Sequence, residues 1–271
     1  MDPAPPFAWT SGEIHVDVVL GVGLLAAAYA RAWTRGPRGG LREPALFLAA
    51  LLVLLVALNG PLHDLSDYYL FSAHMVQHLL LTLVVPPLLL AGTPGWIADA
   101  LLGRLRRRRA LGALAHTATR PVAALGLYAM ALIGWHLPGP YEVALEHHAW
   151  HVVEHLVLIA TAILAWWPVL SPSVLLPRLH YGTQILYLFA FGIPMTVVAA
   201  MITGAEQTLY PFYAAAPRLF GLEALADQRL GGLIMWVPAG LVPLLAFTVV
   251  FFRWVAAEAE EESGAVERPL L

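Results

Sequence analysis

The chain has 271 residues, of which 59% are apolar and only 12% are charged, with a mean hydropathy of +0.71 and a net charge of −3. Soluble domains carry about 25% charged residues, and the apolar residues here form long runs, so the composition excludes a soluble enzyme, a DNA-binding module and a secreted disulfide scaffold. The chain contains no cysteine and no lysine, which excludes disulfides, thiolate metal sites and any cofactor held as a lysine Schiff base.

The hydropathy pattern predicts an all-α, polytopic membrane protein with seven transmembrane helices. Each predicted span can cross a hydrocarbon core of about 30 Å, which takes about 20 helical residues. In chain order the predicted spans are 14–32, 44–61, 69–91, 120–138, 149–170, 182–204 and 231–254. We therefore expect three regions: an extracytoplasmic N-terminal segment (1–13), a seven-helix domain (14–254) and an acidic cytoplasmic tail (255–271).

The distribution of arginine predicts the orientation of these helices. The loops on one side and the C-terminal tail carry thirteen arginines, whereas the opposite loops, 61–68, 139–148 and 205–230, carry two. Cytoplasmic loops are enriched in basic residues, so the N-terminus is expected outside and the C-terminus in the cytoplasm. The run Arg106–Arg109 is expected to set this topology and to touch anionic lipid, and no nucleic acid partner is expected.

Nine of the eleven histidines fall in the outer half of the predicted bundle or in its outer loops. The third span carries His74 and His78, one helical turn apart on one face, and the fifth span carries His151 and His155 at the same spacing. At 1.5 Å per residue, the first pair lies roughly 7 and 13 Å below the outer end of its span and the second pair roughly 3 and 9 Å below. The two pairs can therefore meet in one layer beneath the outer surface.

This pattern favours a metal site. Imidazole suits copper, zinc, iron and nickel, and two histidines at i, i+4 can offer two ligands to one ion. His136 ends the fourth span and joins these four as a candidate ligand. Glu154 lies beside the second pair, either as a ligand or as an acceptor that fixes a histidine tautomer.

Two further sets of residues complete the candidate site. Residues expected beside the histidines, as supporting groups or additional ligands, are Glu154, Gln77, Gln228, Met195 and Met235. Residues expected on the entry side, toward the outer surface, are His15, Asp17 and His63. The inner halves of the spans contain no Asp, Glu, Lys or His, which argues against a channel or a pump, because these need polar groups across the full depth.

Six different short motifs lie along the spans: Tyr69–Leu80, Pro86–Pro94, Trp135–Pro138, His151–His155, Trp166–Pro168 and Gly231–Pro238. They resemble the motifs of the CtaG-type (caa-type) cytochrome c oxidase assembly factors of bacteria. The resemblance implies a seven-helix, multi-pass protein of the bacterial plasma membrane that is needed to build haem–copper oxidases, with a role in copper delivery. The matching positions are His74, His78, His136, His151, Glu154, His155, Gln228 and Met235.

The expected function is therefore that of a non-enzymatic assembly factor. It would bind copper at an outward-facing histidine cluster, receive it from a periplasmic copper donor and deliver it to a subunit of a haem–copper oxidase. Three alternatives stay open. They are a membrane redox protein that holds a single haem between the two histidine pairs, a metal-free assembly scaffold, and a zinc-dependent membrane hydrolase with Glu154 as its base.

Overall fold

The computed structural model describes residues 7–10, 12–37 and 39–266, and these residues form helices and connecting loops with no strand among them. The helices are α1 (Val16–Trp33), α2 (Arg42–Ala57), α3 (Gly60–Tyr68), α4 (Phe71–Leu79), α5 (Val85–Ala91), α6 (Gly95–Arg106), α7 (Arg109–Ala118), α8 (Pro121–Trp135), α9 (Pro138–Glu146), α10 (His148–Leu170), α11 (Tyr181–Phe191), α12 (Ile193–Gly204), α13 (Pro211–Ala215) and α14 (Ala224–Val266). A π-helical turn, Leu80–Val84, joins α4 to α5. The expected all-α class is confirmed for this part of the chain.

Several of these helices suit a multi-pass membrane protein. Within the described residues, the segments that are each long and apolar enough to cross a membrane are Val16–Trp33, Phe71–Ala91, His148–Leu170, Tyr181–Gly204 and Ala224–Glu262. Two further pairs, α2 with α3 and α8 with α9, meet this criterion only when taken together, and they are bent by 46° and 73°. Counting each bent pair as one span gives seven spans; this number and the orientation of the termini stay predictions.

The segments expected as outer loops contain helices, which corrects the predicted boundaries. The 61–68 segment lies within α3, most of the 139–148 segment lies within α9, and the 205–230 segment contains α13 and the first residues of α14. The hydropathy pattern does not identify these short helices, because they mix polar and apolar residues. Their prolines, Pro61 and Pro138, suit the first turn of a helix. Helix α3 packs against α4, so it covers the histidine layer.

The bend between α2 and α3 fixes the segment that precedes α1. Gly60 has a φ of +69°, which glycine adopts without steric cost. Its backbone N–H donates to the carbonyl of Glu13 at 3.0 Å, and the side-chain oxygen of Asn59 accepts from the backbone N–H of His15 at 2.8 Å. These bonds hold His15 next to α3. Residues 1–6 and 11 of the predicted N-terminal region, 1–13, lie outside the described residues.

The main hydrophobic core lies between α4, α8, α10, α11, α12 and α14. Helix α14 approaches α4 closely at Gly231, where an added Cβ would lie 2.4 Å from the ring of Phe71. Helix α1 lies at the edge of the bundle, packed against α2, and Tyr29 is its buried residue. The histidine-bearing helices α4 and α10 are therefore central to the bundle.

Helix α4 continues through the π-helical turn into α5, whose first turn contains Pro86. Pro86 has no N–H, so the carbonyl of Thr82, four residues earlier, loses its helical donor. The indole N–H of Trp166 on α10 donates to that carbonyl at 3.1 Å. The hydroxyl of Thr82 in turn donates to the carbonyl of His78 at 2.7 Å. This network fixes the position of α4 against α10 one turn below the histidines.

Candidate metal centre

The histidine pairs of α4 and α10 face one another inside the bundle. The ring centroids of His74 and His151 are 5.2 Å apart, those of His78 and His155 are 5.4 Å apart, and the two rings within each pair are separated by 4.3 Å. All four side chains are buried. The two pairs lie in one layer, as the spacing and depth predict.

A carboxylate completes this group. Four residues, His74, His151, Glu154 and His155, each offer one ligand atom, and these atoms lie within 4.8 Å of one another. Nε2 of His78 lies 3.6 Å from Oε1 of Glu154, which brings the fourth histidine to the edge of the set. We refer to these five side chains as the histidine–glutamate cluster. Its nitrogen and oxygen donors are those that copper, zinc and iron accept.

Two tyrosines fix the tautomer of His74. Nδ1 of His74 lies 2.8 Å from the hydroxyl oxygen of Tyr213 and 2.9 Å from that of Tyr141. Tyr213 donates its hydroxyl hydrogen to the carbonyl of Ser66 at 2.5 Å, so its oxygen accepts the hydrogen on Nδ1 of His74. Nε2 of His74 is therefore unprotonated, and it has no hydrogen-bond partner.

Asp67 has the same effect on His151. Oδ2 of Asp67 lies 3.5 Å from Nδ1 of His151 and 3.3 Å from Nε2 of His63. A carboxylate behind a histidine keeps the proton on the nearer nitrogen, an arrangement typical of metal-binding histidines. Nε2 of His151 is left without a partner. Sequence reasoning missed Asp67, although its i, i+4 spacing from His63 was a signal.

A second histidine orients His78. Nδ1 of His136 donates to the carbonyl of Leu132 at 2.7 Å, so Nε2 of His136 carries a lone pair. Nδ1 of His78 lies 3.4 Å from that nitrogen and donates toward it. His78 therefore also presents an unprotonated Nε2, and it faces Glu154. In this arrangement His136 supports His78 and lies outside the histidine–glutamate cluster.

The cluster thus concentrates buried polar atoms that are unsatisfied. Six atoms of the cluster have no hydrogen-bond partner, namely Nε2 of each of the four histidines and both carboxylate oxygens of Glu154. An unsatisfied buried polar group costs about 1–3 kcal/mol, and a proton on Glu154 would supply a donor to only one of the nitrogens. A bound cation would satisfy several of these atoms at once.

His63, expected on the entry side, is buried behind the cluster instead. The side-chain N–H₂ of Gln77 donates to the carbonyl of Ala57 at 2.7 Å and lies 2.9 Å from Nδ1 of His63. Nδ1 of His63 is thus an acceptor and its Nε2–H faces Asp67. Gln77 and His63 together support the carboxylate that orients His151, because α3 folds over the cluster.

Four other predicted residues, Met195, Met235, Gln228 and Asp17, lie away from these contacts. Met195 and Met235 are buried in the main hydrophobic core. Gln228 accepts from the backbone N–H of Leu209 at 2.6 Å and donates to backbone carbonyls, so it fixes the segment before α14. Asp17 is exposed in the first turn of α1.

A buried carboxylate, missed in the sequence, holds the start of α4. Asp227 on α14 accepts from the backbone N–H of Phe71 at 2.7 Å, and from the backbone N–H and hydroxyl of Ser72 at 3.2 and 2.5 Å. These first N–H groups of a helix have no intrahelical acceptor. Asp227 therefore caps α4 from a distant part of the chain and positions the turn that carries His74.

Comparison with known proteins agrees with the resemblance. Residues 23–257 match the family described as cytochrome c oxidase caa3 assembly factor (Caa3_CtaG). No solved structure matches the chain. Because the match covers most of the chain, the chain belongs to this family.

Relatives among curated proteins come from mycobacteria. The chain is 25% identical over 252 residues to "Uncharacterized protein Mb0105" of Mycobacterium bovis and to "Uncharacterized protein MT0111" of Mycobacterium tuberculosis, with 85% of this chain and 37% of each relative covered. It is also 25% identical over 260 residues to "Uncharacterized protein ML1998" of Mycobacterium leprae, with 88% of this chain and 38% of the relative covered. The chain therefore spans less than two fifths of the length of these relatives.

Proposed function

We propose that this assembly factor binds a copper ion at the histidine–glutamate cluster and delivers it to a subunit of a haem–copper oxidase. The observation that carries the proposal is the set of six buried nitrogen and oxygen atoms without a hydrogen-bond partner on His74, His78, His151, Glu154 and His155. These donors suit several transition metals. The choice of copper follows from the family, because a haem–copper oxidase needs copper for its assembly.

The proposal includes the topology predicted from the arginines. The chain would cross a bacterial plasma membrane seven times, with its N-terminus outside and the cluster beneath the outer surface. A periplasmic donor would then supply the ion from the same side on which the oxidase subunit receives it. The two bent helix pairs support seven spans, because each pair taken together is long and apolar enough to cross a membrane. We propose no catalytic step.

The packing of the rings favours a bare ion over haem. An axially bound haem needs a slot between two histidines, whereas the ring centroids in the cluster are separated by only 4.3–5.9 Å. A zinc hydrolase would need room for a substrate beside its base. Glu154 is instead fully buried, with a carboxylate oxygen close to the histidine nitrogens.

Metal analysis of variants tests the proposal. The full chain is purified in detergent, loaded with copper and analysed for metal content and absorption spectrum. We expect His74→Ala and His155→Ala each to abolish stoichiometric copper, because each removes one of the ligand atoms. His116→Ala is the matched control, since His116 is exposed on α7. Circular dichroism and elution volume establish that each variant is folded.

Each other result points to a different function. Full copper in both folded variants contradicts the site, and a Soret band contradicts the bare ion. Stoichiometric zinc that copper does not displace contradicts copper delivery and favours a zinc site. No metal in the wild-type protein after loading contradicts the proposal and leaves a metal-free scaffold.

A further inference from the structure

A cleft of about 630 Å³ reaches the cluster at one point. It lies between the segment before α1, the start of α10 and the segment around α13. Four histidines line it, together with three carboxylate side chains: His15, His147, His148, His151, Glu13, Asp67 and Glu146. Among the cluster side chains, His151 alone belongs to this lining. A solute in the cleft therefore meets His151 before any other donor of the cluster.

The lining of the cleft suits a cation. Its described residues include three carboxylates and no arginine, and a concave surface with charges of one sign concentrates ions of the opposite sign and raises their association rate. The histidines add imidazole nitrogens, which are common ligands of transition metals. The lining of the cleft is therefore suited both to attract a metal cation and to bind it transiently.

His15 is held where it can act as such a donor. Its backbone N–H is fixed by Asn59 at 2.8 Å, and its ring lies 4.3 Å from that of His63 and 6.0 Å from that of His148, measured between centroids. Nε2 of His15 is buried without a hydrogen-bond partner, and His148 is exposed. The two rings therefore span the distance from the surface to the interior of the cleft.

His63 does not continue this series of donors. Both of its nitrogens face partners, Nδ1 the side chain of Gln77 and Nε2 the carboxylate of Asp67. His151, in contrast, keeps Nε2 free and borders the same cleft as His15. An ion released by His15 can therefore reach His151 within the cleft without displacing an existing hydrogen bond.

We infer that this cleft is the entry route of the metal ion and that His148 and His15 are transient ligands, which pass the ion to His151. The inference rests on the proposed function, since it supposes that the cluster binds the ion. It goes beyond that function by separating the residues that set the rate of loading from those that set the affinity. No redox change is needed, because the step exchanges one imidazole donor for another.

The rate of copper uptake tests the inference. Cu(I) is presented anaerobically in a chromophoric chelator to the full chain in detergent, and its transfer is followed by absorbance. We expect the double variant His15→Ala/His148→Ala to load about tenfold more slowly than the wild-type protein, because the local concentration of the ion falls. Its final copper content and its affinity should match those of the wild-type protein. The double variant His116→Ala/His180→Ala removes two exposed histidines elsewhere and should load at the wild-type rate.

The outcomes separate this inference from the proposed function. Equal uptake rates in the wild-type protein and the His15/His148 variant overturn the entry route while leaving the copper site intact. A lower final copper content in that variant also overturns it, because the two histidines would then be permanent ligands. Failure of the wild-type protein to take up copper overturns the proposed function, and the entry route with it.

Discussion

Asp67 should control the affinity of the cluster without contacting the ion. Its Oδ2 serves two histidine N–H groups, that of His151 at 3.5 Å and that of His63 at 3.3 Å. In Asp67→Asn the charge disappears, and a side-chain N–H₂ competes for the place of the oxygen, so the protonated nitrogen of His151 is no longer fixed. Loss of such a supporting carboxylate typically lowers metal affinity about 10–100-fold, or about 1.4–2.7 kcal/mol. We expect a decrease in this range for Asp67→Asn.

Competition with a Cu(I) chelator at equilibrium measures this change. Asp64→Asn is the matched control, because Asp64 lies on the same helix and its carboxylate accepts from the backbone N–H of Glu13 at 3.2 Å. We expect Asp64→Asn to keep the wild-type affinity within about twofold, well inside the smallest effect expected for Asp67. An unchanged affinity in Asp67→Asn, or an equal decrease in both variants, would refute the reasoning that Asp67 fixes the tautomer of His151.

Two further predictions concern the framework that holds the cluster. Asp227→Ala should lower the free energy of unfolding by about 2–6 kcal/mol, because the buried backbone N–H groups of Phe71 and Ser72 each lose an acceptor worth about 1–3 kcal/mol. Unfolding of the detergent-purified protein by added denaturant measures this change. A decrease below about 1 kcal/mol contradicts the prediction. Trp166→Phe should cost about 1–3 kcal/mol in the same assay, since the carbonyl of Thr82 loses its replacement donor. Trp150→Phe, at an exposed position, should change the stability by less than about 0.5 kcal/mol, and an equal loss in both tryptophan variants would argue against the Thr82 bond.

The sequence predicts the central residues of the site because their signal is local. A pair of histidines at i, i+4 occupies one face of a helix whatever the rest of the fold does. The depth of His74 and of His151 within their spans follows from the rise per residue. Together these two facts are enough to place four rings in one layer. The apolar runs likewise identify the helices that carry them.

The groups that fix the histidine tautomers could not be predicted in this way. Tyr213 and Asp67 lie in segments that hydropathy assigns to outer loops, and each contacts its histidine across a long stretch of sequence. Their positions depend on how α3 and α13 fold back over the bundle, which depends on tertiary packing and on the bend at Gly60. Hydropathy detects apolar runs that are long enough to cross a membrane, but it carries no information about how short polar helices such as α3 and α13 pack.

Under the proposed function, the arrangement of the cluster would let this assembly factor both hold an ion and release it. His74 is held in a fixed network, since Tyr213, Tyr141 and the capped start of α4 all limit its motion. His151 lies at the opposite edge, between this network and the cleft, and the carboxylate of Asp67 is the polar group that faces its Nδ1. Ligand exchange must begin at a donor that an incoming group can reach. Among the cluster side chains His151 borders the cleft, so under the proposed function an acceptor protein would remove the ion at the same edge that admits it.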